Sequence, residues 1–211
     1  MKKALLIAFL ATSSFSVNAQ TKGTNTIGLG LNFQTHKAEQ NSSGVQFVNE
    51  YQSKAMSVGY GHFINDNVKV GVDFFYGTYD QNTTGGVQFN SKTYGGNVNY
   101  QKYYPLLKKF YAFGGGRVAY SYSSGTNVSA NVVSDVTTNT YAVGVNGGLT
   151  WFFSKRLALE ADLLSANIGY SKSEDASTNP GDGTFKNTST NFSLNTAGAV
   201  SGLGFKIYFL F

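Results

Sequence analysis

Apolar and polar side chains alternate along much of this chain, in segments separated by turn-forming residues. The clearest segment is the last, residues 202–211. Successive side chains of a strand point to opposite faces, so this segment predicts a strand with one strongly apolar face. That face carries Leu203, Phe205, Ile207, Phe209 and Phe211, and the other carries Gly202, Gly204, Lys206, Tyr208 and Leu210.

The same alternation recurs often enough to predict eight strands. They cover about 24–35, 51–63, 68–78, 93–104, 110–123, 139–153, 157–170 and a final stretch that runs to Phe211. Long polar connections are predicted at about 36–50, 79–92, 124–138 and 171–187. Short turns are predicted at Asn65-Asp66-Asn67, Lys108-Lys109 and Ser154-Lys155-Arg156. Long connections that alternate with short ones are typical of outer-membrane barrels.

Some strand details depend on single residues. Pro105 is predicted to end the fourth strand, because proline cannot donate to a ladder. In the fifth strand, Arg117 is placed inward and Val118 outward. In the final strand, Phe192 and Leu194 are even-numbered whereas the later apolar residues are odd-numbered. A β-bulge near Ser201-Gly202, or a loop that ends near Thr196, would account for the change.

The seventh strand is assigned one apolar face along its whole length. Its outward residues are predicted to be Leu157, Leu159, Ala161 and Leu163, with Ala158, Glu160 and Asp162 inward.

Composition supports a membrane barrel. Charged residues make up 13% of the chain, below the roughly 25% of soluble domains, and hydrophobic residues only 41%. Low charge without high hydropathy excludes a helical membrane protein and suits strands that are apolar on one face. The absence of cysteine excludes a disulfide framework and a thiol nucleophile.

The chain has 17 Phe and 14 Tyr against a single Trp. Tyr and Trp side chains prefer membrane interfaces, because one end of each side chain is apolar and the other end forms hydrogen bonds with water. Two aromatic girdles are therefore predicted. The periplasmic girdle contains Phe63, Tyr104, Phe110, Trp151, Phe153, Phe209 and Phe211, and the outer girdle contains Phe33, Tyr76, Tyr94, Tyr122, Tyr141 and Tyr170.

Residues 1–19 are predicted to be a cleaved signal peptide, followed by a barrel domain over 20–211. Lys2 and Lys3 precede a short apolar run, and Val17-Asn18-Ala19 resembles a cleavage site before Gln20. Without the two lysines, 14 basic residues face 11 acidic ones, a net charge of about +3 that is too weak to indicate nucleic-acid binding.

The sequence predicts an all-β fold, an eight-stranded antiparallel transmembrane up-and-down β-barrel. Closure removes the unpaired edges that lipid would penalise, and eight strands leave an interior that side chains nearly fill. A secreted lipocalin-like barrel is the rival fold, and it requires the apolar faces to point inward instead of outward.

Six charged residues are predicted to share the lumen: Lys69, Asp73, Arg117, Glu160, Asp162 and Lys206. Three positive and three negative groups favour an ion-pair network, because buried charges must be paired. A narrow pore lined by the same groups is the alternative.

Catalytic and metal-binding patterns are weak. His36 and His62 are the only histidines, and neither has a partner at a telling spacing, so both are interpreted as solvated. Two lone histidines without cysteine give no metal site, and no cofactor motif is found. A lipid-modifying enzyme using His36 at the top of the first strand is a minor hypothesis.

The chain resembles the small outer membrane β-barrels of OmpA/OmpX-type and porin-family proteins of Gram-negative bacteria. Two segments carry the resemblance, Asn65-Asp66-Asn67-Val68-Lys69-Val70-Gly71-Val72 and Gly204-Phe205-Lys206-Ile207-Tyr208-Phe209. The resemblance implies an outer membrane location and insertion by the outer-membrane assembly machinery. The assembly signal it implies consists of Phe205, Ile207, Tyr208, Phe209 and Phe211.

These features favour a monomeric integral outer membrane protein with a structural or surface-interaction role through four long outer loops, which could bind an extracellular ligand. The alternative is a narrow porin that passes ions or small solutes. Two loop pieces, 45–48 and 87–89, are apolar enough to be strand extensions above the membrane or an adhesive edge.

Overall fold

The computed structural model describes residues 20–42, 45–83, 87–129, 132–179, 183–197 and 204–211. The predicted signal peptide, 1–19, lies outside the described residues and stays a prediction. The strands are β1 (Asn25–Ser42), β2 (Val45–Asn65), β3 (Val68–Thr83), β4 (Val87–Leu107), β5 (Phe110–Ser129), β6 (Val132–Phe152), β7 (Leu157–Asn179), β8 (Gly183–Ala197) and β9 (Gly204–Leu210). The described chain contains no helix long and apolar enough to cross a membrane.

The strands form a closed antiparallel ring. Each of β1 to β7 pairs with its neighbour in sequence, and β9 pairs with both β7 and β1. β8 pairs with residues 165–179 of β7, and β9 pairs with residues 157–162 of the same strand. β8 and β9 therefore share one position in the ring, with β8 in the upper part, toward the turn between β7 and β8, and β9 in the lower part. The ring therefore has eight strands, which confirms the predicted fold.

The strands are longer than the sequence pattern predicts. β1 and β2 pair without interruption from Asn25↔His62 to Ser42↔Val45, and the other hairpins are similar. The prediction of four long loops at 36–50, 79–92, 124–138 and 171–187 is therefore wrong for most of each range. Backbone ladders need no apolar face, so polar sequence rich in Thr, Ser and Asn continues the strands beyond the apolar belt. The strand interpretation of 45–48 and 87–89 is confirmed.

Pro105 does not end β4, which continues to Leu107. Instead the register with β5 shifts between Pro105 and Leu107. A proline removes one donor from the ladder, and near the end of a strand the sheet accommodates that loss as an irregularity.

The first short turn is confirmed. Asn67 has a φ of +62°, a left-handed conformation that asparagine tolerates better than most residues. The segment before β1 is attached to this turn, because Lys22 donates its backbone N–H to Asp66 Oδ1 at 2.8 Å and Asn67 N–H donates to the carbonyl of Gln20 at 3.0 Å.

A belt of large apolar side chains covers the outside of the ring. Val98, Val118 and Val143 lie side by side on β4, β5 and β6, and Val118 is 60% exposed. The inside of the ring holds charges and amides, together with a small group of buried aromatic side chains at one end. This arrangement suits a barrel whose outer face contacts lipid, and it excludes the lipocalin-like alternative, which needs the opposite orientation. The outward placement of Val118 is confirmed.

The outer aromatic girdle forms a row on neighbouring strands. Ring centroids are 5.2 Å apart for Tyr94 and Tyr122, 6.4 Å for Tyr141 and Tyr170, and 5.1 Å for Tyr170 and Phe192. Phe192 extends this row beyond the predicted set. These aromatics mark the upper limit of the apolar belt.

The periplasmic girdle needs one correction. Trp151 stacks on Phe110 at 5.6 Å and lies 5.5 Å from Phe153, as a girdle would require. Phe63, however, is only 1% exposed and packs inside the barrel, 5.7 Å from Tyr103. Its odd number places it on the same inward face of β2 as Gly59 and Gly61.

The seventh strand changes face halfway along, so the prediction for Leu163 is wrong. The register between β6 and β7 shifts so that Gly147 pairs with Leu164 while Gly148 pairs with Asp162. The extra residue turns Leu164 outward, 66% exposed, and the apolar face above it is even-numbered. β8 matches that upper face and β9 matches the lower one. The predicted bulge at Ser201-Gly202 lies outside the described residues.

Candidate functional site

The periplasmic half of the lumen is filled by a packed plug. Its apolar members are buried side chains from six strands: Phe63, Tyr103, Phe113, Phe152, Ala158, Tyr208 and Leu210. Lys69, Glu160, Gln101, Thr150 and Thr26 are buried among them. The space left between these groups is a cavity of only about 10 Å³, barely enough for one water molecule. We call this set of residues the plug.

Glu160 is the polar centre of the plug. Tyr103 Oη donates to its Oε2 at 2.9 Å and Thr150 Oγ1 at 3.2 Å. Gln101 Nε2 donates to its Oε1 at 3.1 Å and Tyr208 Oη at 3.2 Å. Four donors from three other strands therefore satisfy the carboxylate, which is the condition under which a buried charge is tolerated.

Lys69 supplies the opposite charge. Its Nζ lies 3.9 Å from Glu160 Oε2, and the two side chains are 3% and 5% exposed. The same ammonium lies 3.9 Å from the centroid of the Tyr208 ring and 5.4 Å from that of Tyr103. Cation–π contacts of this kind contribute most where water is excluded. The plug is thus held by one ion pair and by the aromatic rings around it.

Gly28 makes room for Tyr208 in the plug. A Cβ at Gly28 would lie 2.6 Å from Cε1 of the tyrosine ring. The glycine on β1 therefore lets the ring lie flat enough for its hydroxyl to reach Glu160.

We expect Gly28→Ala to destabilise the barrel by about 1–3 kcal/mol, because the added methyl group overpacks the plug. Gly116→Ala is the matched control, since its Cβ would meet nothing closer than 3.7 Å. Urea unfolding in detergent micelles measures both variants. Equal stability of the two would contradict this packing.

A second ion pair lies above the plug. Lys206 Nζ on β9 contacts Asp73 Oδ1 on β3 at 2.5 Å, and both side chains are mostly buried. Asn99 Nδ2 donates to the other oxygen of Asp73 at 2.9 Å. β1 and β2 separate β9 from β3 in the ring, so this contact ties the closing strand to a strand with which it does not pair.

The remaining two predicted lumen charges are held by amides. Arg117 donates from Nε and Nη2 to Asn167 Oδ1 at 3.1 and 2.9 Å. Asn146 Nδ2 donates to Asp162 Oδ1 at 2.9 Å. The structure thus gathers four of the six predicted residues into two ion pairs and leaves Arg117 and Asp162 with neutral partners.

A cavity of about 440 Å³ lies above the plug. Charged and amide side chains form much of its lining, including Asp73, Asn97, Asn99, Arg117, Asn146, Asp162, Asn167 and Lys206. Because the plug fills the lumen below it, this cavity does not continue into an open channel through the described part of the barrel.

The histidines lie apart from these groups. His36 stacks on Tyr51 with ring centroids 5.0 Å apart, and His62 Nδ1 lies 2.9 Å from Asn25 Oδ1. Within the described ranges, no group of three or more His, Asp or Glu side chains is placed to hold a metal ion. Among those same residues, neither histidine contacts a carboxylate or hydroxyl in an arrangement that suggests catalysis.

The predicted assembly-signal residues divide between the two faces of the last strand. Phe205, Ile207 and Phe209 are exposed on the lipid face, as is Phe211 just after β9, whereas Tyr208 points into the plug. The signal itself stays a prediction.

The contacts of the neutral residues of the site were not predicted from the sequence. Gln101, Tyr103 and Thr150 hold Glu160, and Asn146 and Asn167 hold the unpaired charges. Gln101, Tyr103, Asn146 and Thr150 share the inward parity of their strands, whereas Asn167 faces inward only because the register of β7 shifts. Only the relative heights of neighbouring strands, which the sequence does not give, would have brought them together.

No protein-family model matches the sequence, and no curated protein matches it significantly. Solved structures do match. The outer membrane protein OprG from Pseudomonas aeruginosa aligns with a TM-score of 0.55 at 10% identity, over 92% of this chain and 99% of OprG. A major outer membrane protein from Thermus thermophilus aligns with a TM-score of 0.52 at 10% identity, over 90% of this chain and 99% of that protein.

At these identities the likeness concerns the fold. It agrees with the closed ring, the outward apolar belt and the polar interior, and it confirms the resemblance drawn from the sequence. The chain has the fold of a small outer membrane β-barrel protein.

Proposed function

We propose that this protein is a non-conducting barrel of the outer membrane that presents four rigid hairpins to the exterior for surface interactions. The plug is the observation that carries the proposal. With Lys69 and Glu160 paired and fully surrounded, and about 10 Å³ left between the plug residues, ions have no continuous aqueous path. A narrow porin would need one.

The hairpins support the surface role. On β1, the outward residues above Phe33 are Thr35, Lys37 and Glu39, and Lys37 pairs with Glu39 at 2.6 Å. On β7, Lys172 and Glu174 form a similar exposed pair at 2.9 Å. Polar outward faces fit water and not lipid, so these parts of the strands project beyond the membrane. Strands hold a binding surface more rigidly than the long loops predicted from the sequence.

Single-channel recording in planar bilayers tests the closed lumen. The purified barrel should add no conductance steps above the baseline of the empty bilayer. Reproducible steps of uniform size would contradict the proposal and favour the porin, particularly if their ion selectivity changes in a Lys206→Met variant.

The projection of the hairpins can be tested with single cysteines, because the native chain has none. Lys37→Cys and Lys172→Cys should react in intact cells with a membrane-impermeant maleimide. Lys108→Cys, in the opposite turn between β4 and β5, should react only after the cells are broken. Labelling of Lys108→Cys in intact cells would reverse the proposed orientation.

The proposal includes insertion by the outer-membrane assembly machinery as a monomer. The exposed aromatic residues Phe205, Phe209 and Phe211 support recognition of β9 by that machinery, as the sequence resemblance implies. Deletion of Phe211 should lower the amount of heat-modifiable barrel in the outer membrane fraction. An unchanged amount would remove Phe211 from the assembly signal.

A further inference from the structure

Basic side chains collect at the end of the barrel that carries the short turns. Lys108 and Lys109 lie in the turn between β4 and β5, and Lys155 and Arg156 lie in the turn between β6 and β7. Lys102 is exposed on the outward face of β4, close to the same end. We call these five residues the basic patch. Within the described part of the chain, none of them forms an ion pair.

The two turns of the basic patch are in direct contact. Phe152 N–H donates to the carbonyl of Lys109 at 2.9 Å, and Lys109 Nζ donates to the carbonyl of Phe153 at 3.4 Å. Among the described residues of the three short turns, Asp66 is the only acidic one, and it accepts the backbone N–H of Lys22 in the turn between β2 and β3. The cations of the patch therefore lie next to one another without a local counter-charge.

The hairpins at the opposite end of the barrel differ from the patch in charge. They carry acidic residues as well as lysines, and two of their lysines are paired on the surface, Lys37 with Glu39 and Lys172 with Glu174. The six charges of the lumen are three positive and three negative. The net positive charge of the described chain is therefore concentrated at the end with the short turns, and a patch of one sign attracts an anionic partner.

The basic patch lies at the edge of the apolar belt. Trp151, Phe110 and Phe153 of the periplasmic girdle pack together beside its two turns. Lys102 lies about 7 Å farther from the turn than Tyr104 at 3.3 Å per residue, on the same outward face, and its Nζ is 5.5 Å from the centroid of the Tyr104 ring. A long lysine side chain in this position directs its ammonium toward the membrane interface. A soluble partner would have to enter the bilayer to reach that ammonium, whereas a lipid headgroup lies at this depth.

We propose that the basic patch binds an anionic phospholipid of the leaflet at that end of the barrel. The phosphate of the lipid would contact Lys102 and the cations of the two turns, and its acyl chains would lie along the apolar belt. Gly114, the neighbour of Lys102 on β5, leaves space for the headgroup, because a Cβ there would meet nothing within 4 Å. Clusters of basic residues beside a membrane attract anionic lipid, whereas a zwitterionic phospholipid carries its own cation and gains less from the patch.

Quenching of tryptophan fluorescence tests the proposal, because Trp151 is the only tryptophan of the chain and lies beside the patch. The barrel is reconstituted in vesicles of equal parts phosphatidylglycerol and phosphatidylcholine, with brominated acyl chains on one lipid or on the other. Bromine quenches tryptophan at short range, so the two preparations report which lipid lies against Trp151. Phosphatidylglycerol should be enriched there at least about threefold over phosphatidylcholine. Equal quenching by the two brominated lipids would overturn the proposal.

Salt and a variant of the patch test whether charge is the cause. The enrichment should fall toward unity in about 1 M NaCl, where the Debye length is only about 3 Å. The triple variant Lys102→Gln, Lys108→Gln, Lys155→Gln should abolish it at low salt. Enrichment that persists unchanged in high salt would exclude recognition by charge and reject the proposal. The salt series uses the native protein, so it decides the question even if the variant fails to fold.

A matched variant at the other end locates the site. Lys54→Gln, Lys92→Gln, Lys186→Gln removes the same charge from exposed lysines of the opposite hairpins and should leave the enrichment unchanged. If this variant lost the enrichment and the patch variant kept it, the anionic lipid would lie elsewhere and the patch would be rejected.

The outcome is independent of the proposed surface role. Conductance and cysteine labelling test the closed lumen and the hairpins, and neither depends on which lipid lies against the patch. The vesicles have the same composition in both leaflets, so the quenching result does not depend on the orientation of the barrel either. Equal quenching would leave the conductance and labelling results in place.

Discussion

Replacing Glu160 by alanine should destabilise the barrel by about 3–5 kcal/mol, because it leaves Lys69 buried without its counter-charge. The variant also removes the common acceptor of Tyr103, Tyr208, Gln101 and Thr150. Each of these buried donors would then lose a partner. This is the largest single-residue effect that we expect in the lumen.

Urea unfolding in detergent micelles, followed by the heat-dependent gel shift, measures this change. Glu174→Ala removes an equally charged but exposed side chain and should alter stability by less than about 1 kcal/mol. The double variant Lys69→Met, Glu160→Leu should regain much of the loss, since apolar residues often replace a buried pair without cost. If Glu160→Ala were as stable as Glu174→Ala, the ion pair would have no structural role.

Val118→Arg should destabilise the barrel by about 2–4 kcal/mol, the cost of an arginine facing lipid near the bilayer midplane. Val118 is flanked by Val98 on β4 and Val143 on β6. The arginine side chain would have no water and no acidic partner on that face of the belt.

Ser124→Arg is the control for the position of the membrane. Ser124 lies on the same strand and the same face, about 20 Å farther along at 3.3 Å per residue, beyond Tyr122 of the outer girdle. Its substitution should cost about 0–1 kcal/mol. Unfolding titrations in lipid vesicles compare the two. An equal loss of unfolding free energy in Val118→Arg and Ser124→Arg would mean that the apolar belt extends beyond the outer girdle.

The sequence was sufficient to predict the strands within the membrane, since lipid and lumen impose opposite demands on alternate residues. Val118 and Arg117 illustrate this, because one faces lipid and its neighbour faces the lumen. The hairpins above the belt carry no such signal. Water lies on both sides of them, and the polar side chains at 36–42 are compatible with either loop or strand.

The face change in β7 could not be predicted from β7 alone. Leu163 and Leu164 are adjacent leucines, and either could continue the apolar face. The inserted residue becomes evident only in the register with β6. The change from an even-numbered apolar face at Phe192 to an odd-numbered one at Phe205 reflects the same register shift, because β8 and β9 pair with the two parts of β7 on either side of it.

The partners of the charged side chains in the lumen could not be predicted from the sequence either. Parity identified the inward charges but not the height at which each strand places them. Glu160 could have paired with Lys206, its direct cross-strand neighbour, yet Lys206 reaches Asp73 and Glu160 faces Lys69. Strand tilt and stagger decide such partners, and they are properties of the closed ring.

The ladder between β1 and β9 sets the order in which the barrel can fold. It joins the two ends of the described chain over six residue pairs, from Thr26↔Leu210 to Leu31↔Phe205. The hairpins from β1 to β7 bring together residues that are close in sequence, whereas this ladder must close a loop of nearly the whole chain, at a greater entropic cost. We therefore expect the hairpins to form first and the β1–β9 ladder last, so the folding of this protein ends where its first and last strands meet.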